Sequence, residues 1–153
     1  MAWAGEQQSP NWFDVAREYT EKWHHAQQIF EAVGKPNPLL SRRLYHPVLE
    51  TFVRALPHTF REEDRPDGTS VRVVVQGEAG GPWWLIRQGG VWVQVGSAGV
   101  SLAATVTLPQ DVAWKVWTKR RPVDEKLRSW PGILIEGDAD LGRLVVGMVS
   151  VMA

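Results

Sequence analysis

Glu21 and His25 are a carboxylate and an imidazole set four residues apart, with Gln28 three residues further on. In a helix that spacing is one turn, so the two side chains converge and Gln28 follows on the same side. Both types can ligate a divalent metal, but two ligands on one helix do not make a zinc site. Without further ligands the pair is a solvated contact worth a few tenths of a kcal/mol. His24 points to the flank of the pair, while His46 and His58 lie near the ends of a second helical stretch, where surface or capping roles are expected. Glu136 and Asp138 flank Gly137 after a strand, and one of them reads as a helix N-cap. The glycines at 77, 80, 81, 89, 90, 96 and 99 sit at strand ends and do not form a strand-to-helix phosphate loop. No Ser, His and Asp constellation stands out.

The elements that must position these residues follow from periodicity. Apolar side chains at Trp12, Ala16, Tyr19, Trp23, Ala26, Phe30 and Val33 recur at steps of four and three, which predicts one helix over Asn11 to Val33. Asn11 is its expected N-cap, and Gly34 followed by Pro36 ends it. Glu21, His25 and Gln28 then fall on the face opposite the aromatic stripe. Residues 1–10 lack periodicity and read as a short arm that Trp3 could anchor. After a basic, Pro-rich link, Leu44 to Leu56 predicts a second amphipathic helix with Pro47 in its first turn and Pro57 near its end. The period then becomes two. Val71, Val73 and Val75 mark one strand, Trp83 to Arg87 a second, and Val91, Val93 and Val95 a third, with Gly89-Gly90 as a hairpin turn. A fourth strand is expected near Ala103 to Leu108 and a fifth at Ile133 to Glu136. A helix opens at Pro109 and Asp111, and a last helix runs from Asp138 through Met152. The expected fold is α+β: two N-terminal helices, an antiparallel sheet of about five strands, and two helices on one of its faces.

Composition narrows the function. The chain has 153 residues, enough for one domain with a real core. Lys plus Arg equals Asp plus Glu at 17 each, so no global field favours nucleic acid. The clusters Arg42-Arg43 and Lys119 to Arg121 read as a linker and as a helix C-terminus complementing its dipole. Cysteine is absent, which excludes disulfides and thiolate sites and fits a cytoplasmic protein. No run approaches the roughly 18 apolar residues of a membrane span. Nine tryptophans supply large apolar area, and each indole N–H needs an acceptor when buried.

Two stretches resemble known families. EYTEKWHHAQQI resembles the last helix of the metal-binding four-helix bundle in mycothiol-dependent maleylpyruvate isomerases, part of the DinB-like group. The match is a Glu, a Trp two residues on, a His four on and a polar residue three beyond: Glu21, Trp23, His25 and Gln28. ATVTLPQDVAWKVWTKR with ILIEGDADLGRLVVGMVS resembles the sterol-carrier-like C-terminal domain attached to such bundles. The resemblance divides the chain into an arm and bundle-type helix over 1–36 and a sterol-carrier-like domain over 37–153. It implies Glu21 and His25 as two of three ligands to a divalent metal, usually zinc, with mycothiol as the thiol cofactor of an isomerase or transferase. The third ligand belongs to an earlier bundle helix that this chain lacks, so the metal site is expected to be incomplete here unless a homodimer or a separate helical-bundle chain supplies it. Any enzymatic activity turns on that ligand. The alternative is a non-enzymatic module of sterol-carrier type that binds apolar ligands or another protein. By that analogy Trp83, Trp92, Trp114 and Trp117 either line an apolar pocket between sheet and helices or fill it, and the excess of indoles favours filling.

Overall fold

Val71, Val73 and Val75 all turn inward, as their alternation predicts, and the sheet is built outward from their strand. The computed structural model describes residues 10–97 and 102–150. β1 (Ser70–Gln76) pairs antiparallel with β2 (Gly81–Gln88), which pairs antiparallel with β3 (Val91–Val95). Gly89 and Gly90 make the two-residue turn between them with φ of 60° and 78°, the left-handed region that this hairpin requires. The Asp67 carboxylate accepts both of their N–H groups, at 2.9 and 3.1 Å. β4 (Leu102–Pro109) lies on the other side of β1, and β5 (Leu134–Gly137) pairs with β4, giving the order β3-β2-β1-β4-β5.

The α+β class and the five strands are as expected, but the sheet is not wholly antiparallel. β1 and β4 run parallel at its centre. A two-residue hairpin forces an antiparallel neighbour, whereas β4 follows β3 in the chain but sits two strands away from it beyond β1, so no hairpin fixes its direction. The valine pattern of β3 also misleads. Trp92, not its valine neighbours, faces the core, and Val91 is 57% exposed. The Trp92 indole packs edge-on against Phe60 at 5.1 Å and donates to the Glu63 carbonyl at 2.8 Å. A large indole with a satisfied N–H outweighs the smaller valines.

The helices are α1 (Asn11–Val33), α2 (Arg42–Val53), α3 (Leu56–Thr59), α4 (Gln110–Thr118), α5 (Val123–Ser129) and α6 (Ala139–Gly147). Gly34 closes α1 with φ of 62°, as expected, but Pro10, not Asn11, holds the N-cap position. The buried face of α1 is rotated from the expected one by about one residue, or 100°. Phe13, Thr20, Trp23, His24 and Gln27 are buried, while Trp12 is 58% and Tyr19 37% exposed. The cause is the set of partners at one end. Trp23 stacks on Tyr45 of α2 at 4.5 Å and donates its indole N–H to the Leu39 carbonyl at 2.9 Å. The Gln27 amide oxygen accepts from Asn37 at 2.6 Å, so this polar residue that reads as surface is inside and paired.

Tyr45 is the joint between α2 and α4. Its hydroxyl donates to the Gln110 carbonyl at 2.8 Å and accepts from the Trp114 N–H at 3.1 Å. Burial pushes that hydroxyl well above the usual phenol pKa. Pro47 lies inside α2, beyond the first turn where it was expected. α5 was not expected, because VDEKLRS looks polar; its Lys126 is buried and donates to the Val146 carbonyl at 3.0 Å. Asp138 caps α6 by accepting from Asp140 and Leu141, and the helix stops at Gly147, short of the expected end. The expectations for Trp3, Gly99 and Met152 lie outside the described residues.

Candidate ligand-binding cleft

His46 and Glu50 of α2 and Arg54, its C-cap, recur at steps of four, which sets them in one row along the helix. That row faces a cleft of about 1010 Å³ between the start of α1, α2 and the β2–β3 edge of the sheet. Trp12 and Ala16 of α1, Pro47 and Pro57, and Pro82 and Trp83 of β2 form its apolar walls, with Gln94 as a further polar group.

Glu50 and Trp83 hold each other in place. The Trp83 indole N–H donates to Glu50 Oε1 at 2.9 Å, and His46 Nε2 lies 3.4 Å from the same oxygen. His46 Nδ1 is 2.8 Å from the Ala79 carbonyl, so that nitrogen carries the proton and donates. The imidazole lies nearly parallel to the Trp83 ring, with centroids 5.9 Å apart. The turn that presents Ala79 depends on Gly80, where a Cβ would run into the Val75 carbonyl. Arg42 ties the same turn to α2 by donating to the Glu78 and Gly80 carbonyls at 3.3 and 3.0 Å. The Arg54 guanidinium lies 5.0 Å from the Trp12 ring and 4.5 Å from the Phe13 ring, in cation–π range of both.

The residues singled out by sequence fall elsewhere for the most part. Glu21 and His25 are exposed on α1, where His25 Nδ1 lies 3.3 Å from Gln28 Oε1. Among the described residues no group of three or more His, Asp or Glu side chains is arranged to hold a metal ion. The ligand set implied by the bundle resemblance is therefore not completed by these residues. His24 is buried edge-on to Trp114 at 5.6 Å, and burial, then His25 and Lys119, hold its pKa below the usual value. His58 is half-buried at the end of α3 and stands apart from the cleft.

Of the four pocket tryptophans, only Trp83 lines the cleft. Trp92, Trp114 and Trp117 are packed into the core, with Trp114 against Trp23 and Trp117 against Phe52. Trp12, Glu50 and Arg54 were not foreseen as site residues, and His46 was read as surface. The i, i+4 spacing that drew attention to Glu21 and His25 recurs at His46, Glu50 and Arg54 and could have found them.

Among the described residues no helix is long and apolar enough to cross a membrane. No family model matches the chain, and no curated protein matches it. A solved structure described as a UbiJ-SCP2 ubiquinone synthesis protein is similar at a TM-score of 0.45 and 19% identity, over 67% of this chain and 93% of that one. A likeness of that size leaves the function of this chain to its own residues.

Proposed function

We propose that this chain is a binding module for small apolar ligands, held in the cleft between α1, α2 and β2–β3. The observation that carries the reading is an indole- and proline-walled cleft of about 1010 Å³ whose polar lining is limited to His46, Glu50, Thr51, Arg54 and Gln94. Small-molecule sites are typically concave, mostly apolar and of roughly 300–1,000 Å³, with a small number of oriented polar groups. The isomerase or thiol-transferase reading would need a third metal ligand beside Glu21 and His25, and the described residues bring none there. The cleft needs no such completion.

The test uses N-phenyl-1-naphthylamine, a neutral aromatic probe that fluoresces when it leaves water. Binding at micromolar concentration is expected, with energy transfer from tryptophan. Trp83→Ala and Trp12→Ala should each weaken it about tenfold, equivalent to about 1.4 kcal/mol. Val91→Ala, an exposed site at the start of β3 that is not among the cleft-lining residues, should leave it unchanged. A wild-type protein that does not bind the probe, or binds it equally well in all three variants, would overturn the reading.

A further inference from the structure

The hydrogen-bonding capacity left over in the cleft narrows the class of ligand. This step rests on the cleft being the ligand site. The Trp83 N–H is committed to Glu50 Oε1, and the His46 Nδ1–H to the Ala79 carbonyl. The Arg54 guanidinium is drawn over the rings of Trp12 and Phe13, toward α1. Glu50 has the opposite standing. Its side chain is 53% exposed, and its hydrogen bond within the described residues ends on Oε1, so Oε2 retains its full accepting capacity.

A carboxylate is acceptor-only when ionised, and here its orientation is set by the indole N–H on one oxygen. A ligand that laid a flat body against Trp83 and offered a donor to Oε2 would form a charge-assisted hydrogen bond without reorganising the site. If the donor were positive, the indole face would add a cation–π attraction. A carboxylate on the ligand would meet Glu50 with like charge, which disfavours it. We propose that Glu50 is the polar anchor of the cleft and that its ligands are flat apolar molecules bearing a positively charged hydrogen-bond-donating head, such as a protonated amine. Glu50 thus selects the head group, and the indoles hold the body.

Three matched probes separate this claim from the one beneath it: 2-naphthylmethylammonium, its neutral isostere 2-ethylnaphthalene, and 2-naphthoate, each titrated by tryptophan quenching against wild type and Glu50→Gln. The ammonium should bind wild type at least tenfold tighter than the neutral isostere. Glu50→Gln should erase that advantage while still binding 2-ethylnaphthalene, which shows that the variant is folded and the cleft intact. Neutral binding with no ammonium advantage, or a preference for 2-naphthoate, overturns the anchor and leaves the apolar cleft standing. An ammonium advantage that survives in Glu50→Gln also overturns it, because the selecting charge would lie elsewhere. Binding of none of the three removes the cleft reading itself, and the anchor with it.

Discussion

Replacing Trp117 by alanine is expected to lower folding stability by about 3–5 kcal/mol, the range for deleting a large buried aromatic. Trp117 is fully buried and meets Phe52 edge-on at 6.3 Å, so it connects α4 to α2. Its indole N–H donates to the Val145 carbonyl at 3.1 Å, and its own carbonyl accepts from the Ser150 N–H at 2.8 Å. One side chain therefore joins α2, α4 and α6, and alanine leaves a cavity and removes a buried hydrogen bond. Domains of this size have only about 5–15 kcal/mol in total, so the variant should be close to unfolding. Urea unfolding would show a large fall in midpoint with an unchanged slope. A loss below about 1 kcal/mol would mean that this indole is not part of the core. Trp117→Phe, which keeps most of the volume, should fall between the two.

The second large effect has the opposite sign. Lys126 is buried between α5 and α6, and burial lowers its pKa from 10.5 to about 8. Because the folded-state value lies below the unfolded one, the unfolded chain binds more protons between them, and stability rises with pH across that window. The contribution is fully present above 10.5 and is lost as pH falls through 8. At pH 7 the native state therefore carries a buried ammonium with one carbonyl partner, the Val146 oxygen at 3.0 Å. Lys126→Met keeps the stem and removes the charge, so it is expected to stabilise the protein at pH 7 by about 1–3 kcal/mol, after allowing for the lost hydrogen bond. Thermal unfolding at pH 7 and pH 9.5 would show wild type gaining on the variant as pH rises. A variant less stable than wild type at pH 7 would mean that the ammonium is well solvated or better paired than its geometry indicates.

What could be read from the sequence was local. Gly34 at the end of α1, Gly89-Gly90 in the hairpin and Asp138 before α6 were each legible because a left-handed backbone or a cap requires particular residue types at one position. The inward set Val71, Val73 and Val75 was legible because a strand has a strict period of two. The face of α1 was not, because Thr20 and Gln27 look polar and are buried by partners elsewhere in the chain, Gln27 by Asn37. α5 was hidden by Lys126, a charged residue whose stem and ammonium are both inside. The parallel pairing of β1 with β4 joins strands that are not consecutive, and no local pattern encodes it.

The site was legible only in part for the same reason. The row of His46, Glu50 and Arg54 is a spacing signal that the sequence carries. That Trp83 meets Glu50, and that Trp12 and Pro82 close the walls, depends on how α1 and β2 are set against α2. The abundance of tryptophan suggested a pocket without showing which indoles line it. Three of the four candidates fill the core, as close packing favours, and the fourth is held at the cleft by a carboxylate.

The most direct test of the cleft as a ligand site is therefore to watch the indole N–H resonances of the nitrogen-15-labelled protein, assigned by single Trp→Phe substitutions, while N-phenyl-1-naphthylamine is added. The Trp12 and Trp83 resonances should shift along saturable curves, and those of Trp92, Trp114 and Trp117 should stay in place, because these three are packed in the core away from the cleft. Saturable shifts centred on Trp92, Trp114 or Trp117, with Trp12 and Trp83 unmoved, would place the ligand inside the helix–sheet core and contradict the account.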